Sequence, residues 1–158
     1  VILAYHVIFT TYGFWLPNDP RGSWSEYVRS WELLHFGRAT KVSTSRSLAK
    51  HPHQQPRRQA TKEAMKYPPV HFTGIQARAV GRGIARACEE SGYRVHACSI
   101  LPEHVHMVLG RHERRVERIV GHFKGRATQQ LVAEQLHPLA SHRTPEGPLP
   151  SPCSRRSW

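Results

Sequence analysis

The sequence predicts an α+β domain, and three observations predict it. A β-branched and aromatic run opens the chain. Two more short strand-like runs lie back to back around a Pro-Glu turn. A long segment with helical periodicity follows the first run, and another follows the last. At 158 residues the chain has room for one domain with a proper core and too little for two of ordinary size.

Ile2 to Thr11 reads as the first strand, because Tyr5, Val7 and Phe9 alternate with His6 and Ile8. A turn-rich loop, Gly13 to Ser25, follows and carries Trp15 and Trp24. Tyr27, Val28, Trp31 and Leu34 then share a helical face that Gly37 stops. From Arg38 to Arg58 the composition is polar and rich in Pro and His, which predicts a surface loop. Thr61 to Tyr67 adds a short helix ended by Pro68 and Pro69. The second half is more regular. Thr73 and Gln76 have the spacing of a capping box, so a helix starts there. Ile75, Val80, Ile84, Ala87 and Cys88 form its buried face, Gly92 ends it, and Arg78, Arg82 and Arg86 make a basic stripe at four-residue spacing. Strands follow at Arg94 to Leu101 and His104 to Gly110, joined through Pro102 and Glu103. A last helix, Arg114 to Leu136, buries Val116, Ile119, Val120, Phe123, Ala127 and Leu131.

Strand, helix, strand, strand, helix is five-sixths of a ferredoxin-like βαββαβ unit, an antiparallel sheet with two helices on one face. The sixth element, a last strand, is missing from this order. The expected domain is therefore 1–136, with a polar loop inserted at about 38–67 and an irregular Pro-rich tail at 137–158. The chain opens on Val1 in a strand-like run and ends at Trp158 without a closing element, so we expect a piece of a longer protein.

There are 23 Lys plus Arg against 11 Asp plus Glu, a formal net charge of +12. Such an excess points to a polyanion: nucleic acid first, an anionic membrane surface second. No apolar run approaches the length of a membrane span, and the N-terminus lacks the pattern of a secretory signal. Cys88, Cys98 and Cys153 are odd in number and widely spaced, which fits neither a disulfide framework nor a zinc ribbon. A reducing, cytoplasmic setting is the simplest expectation, with no membrane partner.

The sharpest chemical signal is His104-Val105-His106. Strand side chains alternate, so both histidines face one way while Val105, Met107 and Leu109 face the other. Two neutral imidazoles about 7 Å apart at the backbone, on the face the helices leave open, can share a divalent cation. They would leave positions for water, a third ligand or a phosphate oxygen. The same pair could equally decorate a solvated sheet face. His51-Pro52-His53 has identical spacing in a polar loop and carries no such expectation.

Context favours the first reading. The stretch Ser99-Ile100-Leu101-Pro102-Glu103-His104-Val105-His106-Met107-Val108-Leu109 delivers H-x-H into a strand after a tight turn. It resembles the HUH motif (His, hydrophobic, His) of the single-tyrosine transposases, including the REP-associated tyrosine transposases. Ala4 to Gly13 resembles that family's first strand, and Phe14 to Trp24 is similar to a loop of one subgroup. Phe123-Lys124-Gly125-Arg126 sits where the family carries a basic segment on its second helix. The resemblance spans residues 4 to about 136.

The resemblance implies a ferredoxin-like domain, usually homodimeric, that binds folded single-stranded DNA. It implies a Mg²⁺ or Mn²⁺ ion held by His104 and His106. It further implies attack by a tyrosine on a later helix, giving a 5′-phosphotyrosine link and a free 3′-OH. That helix lies past the last strand, hence beyond Trp158. None of Tyr5, Tyr12, Tyr27, Tyr67 and Tyr93 lies on a helix after the HUH strand, so no nucleophile is assigned. Arg111, Arg114, Arg115, Arg118, Lys124 and Arg126 are the candidate DNA-binding residues, with Trp15 and Trp24 as stacking platforms for unpaired bases. Each arginine could also be part of a solvated helix face, and each tryptophan a packed loop anchor. Two other functions stay open: a non-catalytic nucleic-acid-binding module derived from such an enzyme, and a metal-dependent phosphoesterase that uses water.

Overall fold

The computed structural model describes residues 2–16, 31–37 and 55–140. The chain divides into two compact units, Val1–Tyr12 with Val70–Trp158, and Gly13–Pro69. The expectations for Trp24, Tyr27, Val28, residues 38–54, Cys153 and the tail from 141 onward lie outside the described residues.

The first unit is α+β. Its strands are β1 (Ala4–Thr10), β2 (Val95–Ile100) and β3 (His104–Gly110), and its helices are α3 (Gly74–Ser91) and α4 (Val116–Ala133). The strand order is β1-β3-β2 with both pairings antiparallel, so β3 is central. β1 and β2 therefore run the same way on either side of β3. The chain must cross from one edge to the other between them. Val7, Val105, Met107 and Leu109 turn to one face and are all but excluded from water. They pack with Ala79, Val80, Ile84 and Ala87 of α3 and with Ile119, Val120, Phe123, Ala127 and Leu131 of α4. Burying each large apolar side chain contributes about 1.5–3 kcal/mol, so this one face supplies most of the unit's cohesion.

Local chemistry sets the helix ends. Thr73 accepts from the Gln76 amide at 3.3 Å, and the Gln76 side chain accepts from the Thr73 amide at 2.9 Å, which completes the capping box. Gly92, at φ 66°, ends α3 by donating to the Cys88 carbonyl at 2.8 Å. α4 ends differently. Leu136 donates to Leu131 O at 2.8 Å and Gln135 to Val132 O at 3.0 Å, a Schellman motif whose left-handed position, φ 58°, is a glutamine. Leu136 then folds back onto the core.

One expectation of this unit needs correction. Ile75 is 60% exposed rather than buried. It stands in the first turn of α3, and helical side chains tilt toward the N-terminus, so it leans past the end of its packing partners. Two members of the stripe Arg78, Arg82, Arg86 are engaged by carboxylates. Arg82 binds Glu134, the C-cap of α4, through Nε at 2.8 Å and Nη2 at 2.5 Å, and Arg86 Nε lies 3.4 Å from Glu90. The Arg82 bond holds the Glu134 carboxyl below its ordinary range.

In the second unit α1 is a single turn, Trp31–Leu34, and Gly37 at φ 127° follows it. α2 spans Gln55–Glu63. It begins inside the stretch expected to be loop and ends before the expected Tyr67. Its sequence is polar throughout, with no apolar periodicity to reveal it. Pro56 near the start, where a missing N–H costs nothing, is the local signal that marks it. Thr61 is fully buried and satisfies its hydroxyl on Arg57 O at 2.7 Å.

Candidate functional site

The face of the sheet opposite the helices carries the histidines. In the β1–β3 register His104 pairs with Thr10, His106 with Ile8 and Val108 with His6, and Ser99 of β2 pairs with His106 from the other side. Partners directly across an antiparallel pair point the same way, so His6, His104 and His106 share one face. His104 and His106 are half-buried, with ring centroids 4.8 Å apart and planes at 68°. Their backbone is well held. Leu101 N donates to His104 O at 2.9 Å across the turn, and Thr11 N donates to Glu103 O at 2.9 Å.

His6 is the residue that sequence reasoning passed over. Its Nε2 lies 3.3 Å from His106 Nδ1. The ring centroids are 5.5 Å apart and the planes differ by 17°. With the nitrogens that close and the centres that far, the nitrogens lie almost on the line between the centres. The rings therefore meet edge to edge in nearly one plane, which is hydrogen-bond geometry. Alternation within β1 put His6 on the polar side. Only the register placed it diagonal to His106, and no local signal carries a register.

Burial, then the neighbouring His104 and His6, pulls the His106 imidazole below its ordinary pKa. This favours the neutral form, whose lone pair a cation needs. Among the described residues no three His, Cys, Asp or Glu side chains are grouped to hold a metal ion together. His104 and His106 are neighbours on this face and could offer their ring nitrogens to a cation.

The candidate DNA-binding residues divide by position. β3 is roughly 20 Å long by its rise per residue. Arg111, Arg114, Arg115 and Arg118 are exposed and lie past its Gly110 end, away from His104. Arg114 Nη1 donates to Tyr93 Oη at 2.9 Å, and Arg115 Nε is 3.7 Å from Glu117 at the surface. Lys124 sits differently: its Nζ lies 5.5 Å from the centre of the Phe9 ring. Phe9 pairs with Val105, so this lysine is at the histidine end of β3 but on the helix side of the sheet. Arg126 is committed to structure, with Nε and Nη2 both 2.7 Å from Glu90 and Nη1 2.7 Å from Gln129.

Tyr93 is 5% exposed and takes part in a second cluster. His122 Nδ1 is 3.2 Å from its hydroxyl, and His122 Nε2 is 3.5 Å from Glu90. Gly110 N donates to Arg94 O, so this cluster lies at the opposite end of β3 from His104. Tyr5 is half-buried and packs against the core. Cys88 and Cys98 are free thiols, and burial raises the thiol of Cys88 above its ordinary value. No described helix is long and apolar enough to cross a membrane. Compared with known proteins, the chain matches no family model and no curated relative.

Proposed function

We propose that this chain is the metal-binding part of a single-tyrosine DNA transposase of the HUH superfamily, acting on single-stranded or hairpin DNA with Mg²⁺ or Mn²⁺. One observation carries the reading. His104 and His106 stand side by side on the open face of the central strand, and the side chains between and beyond them are buried on the other face. A strand built this way presents two imidazoles from a rigid element, which suits a site that must hold an ion in one position. A bound divalent ion would polarise a phosphate oxygen of the DNA. The chain's own part is to orient the two lone pairs and, at His106, to favour the neutral ring through burial.

Other features support the reading. The order β1-β3-β2 with α3 and α4 on one face is compatible with a ferredoxin-like unit, in which a further strand would pair with β1. A homodimer and a phosphate-binding role for Arg111, Arg114, Arg115 and Arg118 belong to the same proposal. No tyrosine of this chain is assigned as the nucleophile. Tyr93, whose hydroxyl meets a histidine and an arginine, lies at the far end of β3.

Calorimetric titration of Mn²⁺ tests the proposal. The wild-type chain should take up one ion, and His104→Ala or His106→Ala should give no measurable heat while keeping the wild-type melting temperature. Equal binding by either variant would remove the metal site, and the non-catalytic module would become the better reading.

A further inference from the structure

We propose that His6 is a positioning residue: its Nε2 accepts the Nδ1–H of His106, which fixes His106 as the tautomer whose Nε2 lone pair is free for a divalent cation. The proposal rests on the reading of His104 and His106 as metal ligands. It starts from the 3.3 Å contact between His6 Nε2 and His106 Nδ1 and the near-coplanar rings. Such a contact holds one proton between two nitrogens, so its direction decides the chemistry. If His6 donates, His106 must carry its own proton on Nε2 and neither of its nitrogens can bind a cation. If His106 donates, His6 is protonated on Nδ1 and His106 presents a bare Nε2. The second arrangement is the usual one around metal-bound histidines, whose remote N–H is held by an acceptor that sets both tautomer and ring orientation.

The position of His6 suits this role. It lies on β1 and reaches His106 diagonally, because its own cross-strand partner is Val108. The acceptor therefore comes from a different strand than the two ligands, and β1–β3 pairing couples the two. The His6 side chain is exposed, so replacing it should leave the core intact.

Long-range proton–nitrogen NMR on the metal-free, histidine-labelled chain at about pH 8, where imidazoles are neutral, reads the tautomer directly. We expect His106 protonated on Nδ1 in wild type. His6→Gln, whose amide oxygen can accept the same proton, should keep it so, and His6→Leu should yield a tautomer mixture. Mn²⁺ affinity should fall about 10–100-fold in His6→Leu, the usual effect of losing an outer partner, and be largely restored in His6→Gln. Two results would overturn the proposal: His106 protonated on Nε2 in wild type, or a tautomer and an affinity that His6→Leu leaves unchanged. A wild-type chain with the expected tautomer that binds no Mn²⁺ would instead sink the metal reading and leave the His6–His106 assignment in place.

Discussion

Thr11 shows how one side chain can hold the approach to the histidine strand. It is 4% exposed, and its hydroxyl lies 2.7 Å from Val70 O and 3.0 Å from Glu103 O. The hydroxyl has one proton, so the two carbonyls share it. Through it the end of β1 is tied both to the turn before His104 and to the chain entering α3. Thr11→Val keeps the shape but removes the donor in a buried place. Leaving a buried acceptor unpaired costs about 1–3 kcal/mol, so urea unfolding should show a loss of that size, while Thr11→Ser should lose less. A Thr11→Val variant as stable as wild type would mean that water reaches these carbonyls.

Among the elements, the α3–α4 contact depends on one missing side chain. A Cβ on Gly83 would lie 2.6 Å from Ala127 Cα and 2.7 Å from Arg126 O, so the two helices cross backbone to backbone there. Glycine in a helix interior costs up to about 1 kcal/mol relative to alanine, and the close approach offsets that cost. Gly83→Ala gains helix propensity but forces α4 to move, because the atoms it meets are backbone. Thermal unfolding should show a net loss of about 1–3 kcal/mol, the range for overpacking a well-filled core. Gly121, with nothing within 4 Å of its would-be Cβ, supplies the control. Gly121→Ala should be neutral or stabilising, and if both variants behaved alike the crossing would not be the reason for Gly83.

For the whole molecule, the net charge of +12 makes attraction to any polyanion expected, so the informative quantities are strand preference and salt slope. On the proposed reading, hairpin DNA should bind more tightly than duplex of the same length. With Arg111, Arg114, Arg115 and Arg118 on phosphates, log affinity should fall against log salt with a slope of about −3, at about −0.7 per contact on a single strand. Fluorescence anisotropy across a salt series measures both. Arg118→Ala should flatten the slope by nearly one contact, whereas Arg126→Ala should leave it unchanged, because Arg126 already serves Glu90. Duplex bound as tightly as hairpin would reduce the interaction to generic polyanion affinity.

Much of the first unit was legible in the sequence, because its elements are specified locally. Alternation placed Val7, Val105, Met107 and Leu109 on the buried face and both His104 and His106 on the other. The Thr73–Gln76 spacing marked the start of α3, and the helical period picked out Ile119, Val120, Phe123, Ala127 and Leu131 as the buried side of α4. These are properties of adjacent residues on a strand or helix, and the pattern carries them before the chain folds. α2 escaped because its polar sequence has no such pattern. Only the tertiary structure decided what depends on residues far apart in the chain: that β3 is central, that His6 meets His106 across one hundred residues, that Arg82 and Arg126 are used by Glu134 and Glu90, and that Gly83 lies against Ala127. Register, ion-pair choice and backbone approach are set by how whole elements pack, and packing of that kind leaves no periodic trace in the sequence.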